Sequence, residues 1–196
     1  MKLRLPYRAA RLWSVMPCMA FAGLILLAPA EGLASSPDPQ AINACMLLTG
    51  NELSIVLGMP VEKGVRHDAG RTSGDGYSST CVWKVHNDRL AAHDPKASFG
   101  GADYAILNVI SWPSRDGAES LLRTLRTAAD RNLIPMHPVP LDLGDESVWW
   151  GDGVAVRTGT VSFGISVVLH SADRDQRRKW EEALAKKILP RIPSGH

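Results

Sequence analysis

The sequence predicts an α+β fold, namely a single domain with a mainly antiparallel sheet and flanking helices. Helix and strand patterns follow one another as helix, strands, helix, strand meander and helix, which is not the strand–helix alternation of a parallel sheet. Turn residues stand at each reversal of the meander. Because no glycine-rich phosphate loop follows a strand, a nucleotide-binding doubly wound fold is disfavoured. We place the domain over residues 42–192.

The N-terminal residues have the pattern of an export signal. Residues 1–34 contain a basic start and an apolar run at 19–27, followed by small residues. We therefore predict a signal peptide cleaved after Ala34 or Ala30, and a flexible lead-in at 35–41. A single membrane anchor is the alternative, although the apolar run is short for a bilayer.

Removal of this leader changes the charge balance. The full chain has 22 Lys and Arg against 20 Asp and Glu, and residues after 34 keep 18 basic and 19 acidic side chains. A nearly neutral chain indicates no nucleic-acid partner. Its 45% hydrophobic and 21% charged residues also exclude a largely disordered chain. We expect a periplasmic or secreted protein without a membrane span after cleavage.

Two cysteines remain after the predicted leader, Cys45 and Cys81. Exported proteins with two cysteines usually pair them, so we predict a structural disulfide between these residues. In the chain-entropy model a loop of about 35 residues stabilises a protein by about 3–4 kcal/mol. A metal-binding pair and a redox-active dithiol are the alternatives, which the absence of a Cys-x-x-Cys motif makes weaker.

Helices are predicted from their capping residues. Thr49 and Glu52 form a capping box for a helix near 50–57. Ser114 caps an amphipathic helix near 115–131, and Asp173 caps the last helix near 174–188.

Strands are predicted from alternating apolar residues between turn signals. An extended segment is expected at 61–67 and strands at 77–86, 104–112, 154–158 and 161–170, and residues 143–150 lead into a further strand. A turn at 70–76 and a long polar loop at 87–102 separate the first three. Three prolines keep 134–140 out of a helix.

Four short motifs occur in a fixed order: CMLLT at 45–49, LGMPV at 57–61, CVW at 81–83 and LGDESVW at 143–149. In this order the chain resembles small exported bacterial proteins of the DUF3558 type and similar periplasmic proteins. The resemblance implies a PsbP/Mog1-like sheet-and-helix fold and a bridge between Cys45 and Cys81. It implies no catalytic residue. The chain lacks the lipobox of the lipoprotein members.

One polar segment carries candidate metal ligands. His86, Asp88, His93 and Asp94 could supply nitrogen and oxygen donors to zinc or copper. This cluster predicts, as an alternative function, a metal-dependent enzyme or a metal-binding protein. Surface histidines in a hydrophilic loop are the competing interpretation.

Two adjacent tryptophans suggest a binding surface. Trp149 and Trp150 are neighbours on a predicted strand, so one should face the core and the other outward. A groove lined by Trp149, Trp150 and Met136 would suit an envelope protein, a peptide or a small apolar ligand. Covering of Trp150 by the last helix or the proline-rich segment is the alternative.

No acid, base and nucleophile set is recognisable. The adjacent acids Asp145 and Glu146 should point to opposite faces of an extended segment, and Gly144 with Asp145 is interpreted as a turn entering a strand. We therefore expect a non-enzymatic binding or interaction protein without a cofactor.

Overall fold

A seven-stranded antiparallel sheet forms the centre of the computed structural model, which describes residues 41–86, 103–134 and 136–193. Its strands are β1 (Val65–Arg71), β2 (Tyr77–Lys84), β3 (Tyr104–Ser111), β4 (Val139–Leu141), β5 (Glu146–Trp149), β6 (Val154–Thr158) and β7 (Val161–Val168). Their spatial order is β1-β2-β3-β7-β6-β5-β4, and every neighbouring pair is antiparallel. The predicted α+β class is confirmed.

In the described residues four α-helices accompany the sheet: α1 (Ala44–Leu47), α2 (Gly50–Leu57), α3 (Arg115–Asp130) and α4 (Arg174–Ile188). The predicted caps are present, since the side chains of Thr49, Ser114 and Asp173 each accept a backbone N–H of the first turn. The sequence did not indicate α1, because a single turn has too few residues to show a period. Within the three described ranges, no helix has the length and apolar character needed to cross a membrane.

The two faces of the sheet are covered differently. On the core face, α1, α2 and α4 enclose the main hydrophobic cluster, which includes Trp83, Leu107 and Phe163. On the opposite face, hereafter the α3 face, Leu122 of α3 packs against Val148 and Ala155. Strand alternation produces this division, because successive side chains of a strand point to opposite faces.

Helix α3 covers only part of its face. It packs against β6 and β7, whereas several residues of β2 and β3 on this face stay half-buried. Thr80, Val82, Ile106 and Ile110 belong to this partly covered area. The margin of α3 therefore forms a recess over the middle of the sheet.

The predicted disulfide between Cys45 and Cys81 is present, with the two Cα atoms 5.1 Å apart. It fastens α1 to β2 on the core face. A second attachment joins Arg191 to Glu52 through two hydrogen bonds, and this guanidinium lowers the pKa of the Glu52 carboxyl to about 2. The N-terminal helices α1 and α2 and the residues after α4 are thus attached to the same part of the core.

The sequence did not predict β4, and the bounds of β1 differ most from the prediction. We expected an extended segment at 61–67 and a turn at 70–76, but β1 runs from Val65 to Arg71. Only Val61 pairs earlier, as an isolated bridge to Val85. A bulge between Asp68 and Gly70 allows β1 to continue, because Gly70 adopts a positive φ of 71°.

Three predicted segments are not covered by this description. The signal peptide at 1–34 with its cleavage sites, all of the lead-in at 35–41 except residue 41, and the loop at 87–102 lie outside the described residues.

Candidate functional site

A cavity of about 270 Å³ opens between α3 and the sheet. It is lined by Ile106, Asn108, Leu121, Leu125, Trp150, Ala155, Gly164 and Ser166. Its walls are mainly apolar, and Asn108 and Ser166 are the polar members of this lining. A concave apolar pocket with a few polar groups is the usual form of a small-molecule site.

Trp150 forms one side of the cavity because two glycines leave space for its indole. Its backbone N–H donates to the Gly153 carbonyl at 3.1 Å, which closes the turn between β5 and β6. A Cβ atom at Gly153 would lie 2.5 Å from Cη2 of the indole, and one at Gly164 would lie 3.7 Å away. The indole thus occupies the place that a side chain at residue 153 would fill.

Asn108 is held rigidly at the cavity by β2. Its Nδ2 donates to Oγ of Ser78 at 2.9 Å and to Oγ1 of Thr80 at 2.8 Å. Both amide hydrogens are therefore used on the neighbouring strand. Within the described part of the chain, no group donates a hydrogen bond to Oδ1 of Asn108, which leaves the carbonyl as a free acceptor.

The structure separates the residues of the predicted tryptophan groove. Trp149 is buried on the core face, as strand alternation predicts, and Trp150 lies on the α3 face. Met136 packs against the core cluster and lies beside Gly151. Because Trp149 and Met136 do not line the cavity, Trp150 is the one predicted groove residue that does. Trp150 packs against the α3 cluster, so α3 borders its ring.

Trp149 instead belongs to a polar cluster inside the core. Its Nε1 donates to Oε2 of Glu181 at 2.9 Å, and the guanidinium of Arg178 lies 5.3 Å from its ring centroid. Oε1 of Glu181 accepts the backbone N–H of Val167 at 3.0 Å, beyond the last residue of β7 that pairs with β6. Burial raises the pKa of the Glu181 carboxyl to about 7.

The predicted metal ligands are only partly visible. His86 places Nε2 3.0 Å from Oε1 of Glu62 at the end of β2. Asp88, His93 and Asp94 lie outside the described residues. Among the residues that are described, no three His, Cys, Asp or Glu side chains converge in a way that could hold a metal ion. The metal-site hypothesis stays a prediction.

A histidine–carboxylate pair joins two strand ends. Oδ1 of the buried Asp103 accepts both the backbone N–H of His170, at 2.9 Å, and its Nδ1 at 2.8 Å. In the described ranges no hydroxyl or thiol hydrogen-bonds the other ring nitrogen of this His170–Asp103 pair. It fastens the end of β7 to the start of β3, a long-range contact that no local signal reveals.

The LGD motif at 143–145 has a structural explanation. A Cβ at Gly144 would lie 2.6 Å from the carbonyl oxygen of Arg157, and its φ is +62°. Asp145 accepts from Nη1 of the buried Arg157 and from the Gly159 N–H, both at 2.8 Å. Glu146 forms an ion pair with Arg126 of α3. These carboxylates hold a turn and a helix, in agreement with the turn interpretation.

Of the eight lining residues the sequence predicted only Trp150, and among the seven that it did not predict a usable local signal marks Gly164. It interrupts the apolar strand VSFGISVV, and a glycine inside a strand often marks the close approach of another group.

The chain matches no protein-family model, no curated protein and no solved structure.

Proposed function

We propose that the protein is a non-enzymatic binding protein that holds a small apolar ligand in the cavity between α3 and the sheet. The observation that carries this proposal is the cavity of about 270 Å³ beside Trp150, with Leu121 and Leu125 opposite the strands. A ligand there would bury apolar surface against α3 on one side and against the strands on the other. Removal of this surface from water is the main source of affinity for such molecules.

The walls of this cavity are preorganised. The Trp150 ring lies against Gly153, in a turn that the backbone N–H of Trp150 closes. Asn108 is fixed by two hydroxyls of β2. A ligand would therefore order few side chains on binding, which lowers the entropic cost of association.

The chemistry of the lining supports binding rather than bond breaking. Six of its eight residues are apolar or glycine, and Asn108 and Ser166 are both uncharged. An acid–base reaction needs a titratable group at the reacting atoms, and none of the lining residues provides one at neutral pH.

We further propose that the protein is exported to the periplasm or secreted, and that its fold is PsbP/Mog1-like. The leader pattern at 1–34 and the DUF3558-type motifs support this assignment. The disulfide between Cys45 and Cys81 is compatible with an oxidising compartment. The partner would be an apolar small molecule of the envelope.

Ligand-observed NMR with naphthalene tests the binding function. We expect saturation transfer to naphthalene from the wild-type protein and its loss in Leu125→Trp, which fills the cavity. Leu133→Trp is the matched control, since Leu133 is exposed and is not among the residues that line the cavity. Circular dichroism must show that both variants are folded. Absence of transfer from the wild type, or equal transfer from Leu125→Trp, would contradict the proposal.

A further inference from the structure

We infer that the cavity selects a neutral aromatic molecule with one hydrogen-bond donor, which Oδ1 of Asn108 accepts. This inference rests on the proposed function, because it assigns a chemical class to the ligand of the same cavity. It follows from the hydrogen bonds of Asn108, the charge of the lining, and the size and aromatic wall of the cavity.

Asn108 determines the polarity that the ligand must have. Ser78 and Thr80 take both hydrogens of its amide, so only the carbonyl oxygen is available to a ligand. A ligand that covers this oxygen without donating to it would leave a desolvated acceptor unpaired, which is unfavourable. A ligand with an N–H or O–H group avoids this penalty.

Ser166 does not impose the same requirement. Its hydroxyl lies beside the turn, where a Cβ at Gly153 would be 2.4 Å from Oγ. A hydroxyl can rotate to donate or to accept, so it adapts to the ligand. Asn108 is thus the fixed polar group of the cavity.

The charge of the lining favours a neutral ligand. Among the described residues, no charged side chain lines the cavity. The neighbouring arginines of α3 are engaged elsewhere, Arg126 with Glu146 and Arg123 near Glu119. A carboxylate or phosphate placed here would lose its hydration without gaining a partner.

The size and wall of the cavity favour one or two fused rings. A volume of about 270 Å³ exceeds the roughly 150 Å³ of a cavity that binds benzene, and lies just below the range of drug-sized pockets. The indole of Trp150 offers an aromatic surface, against which another ring packs in an offset or edge-on arrangement.

Titration with indole and benzothiophene tests the inference, because the two differ mainly in the N–H donor. We expect the wild type to bind indole at least about tenfold more tightly than benzothiophene, since a covered acceptor without a donor is costly. Asn108→Leu should bind both equally. Leu133→Trp, at an exposed position outside the lining, is the control and should keep the preference for indole. Indole-3-carboxylate should bind more weakly than indole.

The outcomes separate the two proposals. Equal binding of indole and benzothiophene by the wild type would overturn the inference and leave the binding function intact. A preference for indole-3-carboxylate, or an indole preference that survives in Asn108→Leu, would overturn it as well. If neither probe binds the wild type, the proposed function fails and the inference fails with it. The comparison of probes in the wild type decides the matter even if a variant does not fold.

Discussion

Glu181 is a buried side chain whose ionisation the fold changes strongly. Both of its carboxylate oxygens accept N–H donors, one from Trp149 and one from Val167, and the side chain is fully buried. Arg177 and Asp152 add smaller opposing effects. Burial is the dominant cause and raises the pKa from 4.5 to about 7. The residue serves the core, on the face of the sheet opposite the cavity.

This pKa predicts a specific dependence of stability on pH. Between pH 4.5 and 7 the unfolded chain has released the proton of Glu181, whereas the folded protein retains it. The free energy of unfolding therefore falls as the pH rises through this range, by about 3 kcal/mol for this group, and is constant above it.

Urea denaturation of the wild type and Glu181→Gln from pH 4.5 to 8 measures this contribution. The variant is destabilised at pH 4.5, because an amide NH₂ replaces one of two acceptors. The stability difference between the two proteins should shrink as the pH rises to 7, since only the wild type loses stability. A difference that stays constant across this range would show that Glu181 titrates normally.

The turn between β5 and β6 packs closely against β7 because a glycine in each of them leaves room for the Trp150 indole. Gly153 in the turn and Gly164 in β7 both face the Trp150 indole, but at different distances. The added Cβ would lie 2.5 Å from the ring at Gly153 and 3.7 Å from it at Gly164. The first distance is a clash and the second is an ordinary contact.

Alanine at these two positions should therefore behave differently. We expect Gly153→Ala to displace Trp150, to cost about 1–3 kcal/mol of stability and to weaken ligand binding. Gly164→Ala should change stability little, because its methyl group fits. Thermal unfolding and naphthalene binding of both variants provide the check. Similar losses in the two variants would mean that Gly153 does not position the indole.

The attachment of α1 and α2 to the core also depends on contacts between residues that are distant in the chain. These short helices have little intrinsic stability, and the disulfide and the contact of Arg191 with Glu52 hold them to the core. Cys45 and Cys81 could be paired from the sequence because they are the only two cysteines after residue 34. The partner of Glu52 could not, because Arg191 is distant in the chain and has no local pattern.

In the molecule as a whole, the sequence predicted the features that depend on the local order of residues, namely the helix starts and the faces of the strands. Capping residues located α2, α3 and α4, and period-two alternation placed Trp149 and Trp150 on opposite faces. Side-chain periodicity does not specify which helix covers which face. The recess beside α3 therefore could not be located, and the groove that combined both tryptophans was misplaced.

The cavity itself depends on long-range pairing. Its residues come from β3, β6, β7, α3 and the residue after β5. They meet because β7 pairs with β3 on one side and with β6 on the other. Gly164 and Asn108 acquire their roles only in this arrangement, although the glycine inside a strand was a usable signal.

Intermolecular NOEs between indole and the protein show whether the α3 cavity is the binding site. We predict NOEs from the ring protons of indole to the methyl groups of Leu121, Leu125 and Ile106 and to the Trp150 ring, all of which line the cavity. The exposed methyl groups of Leu133 and Ile55 should show none. NOEs confined to such exposed residues, or no intermolecular NOE at saturating indole, would show that indole does not bind in the α3 cavity.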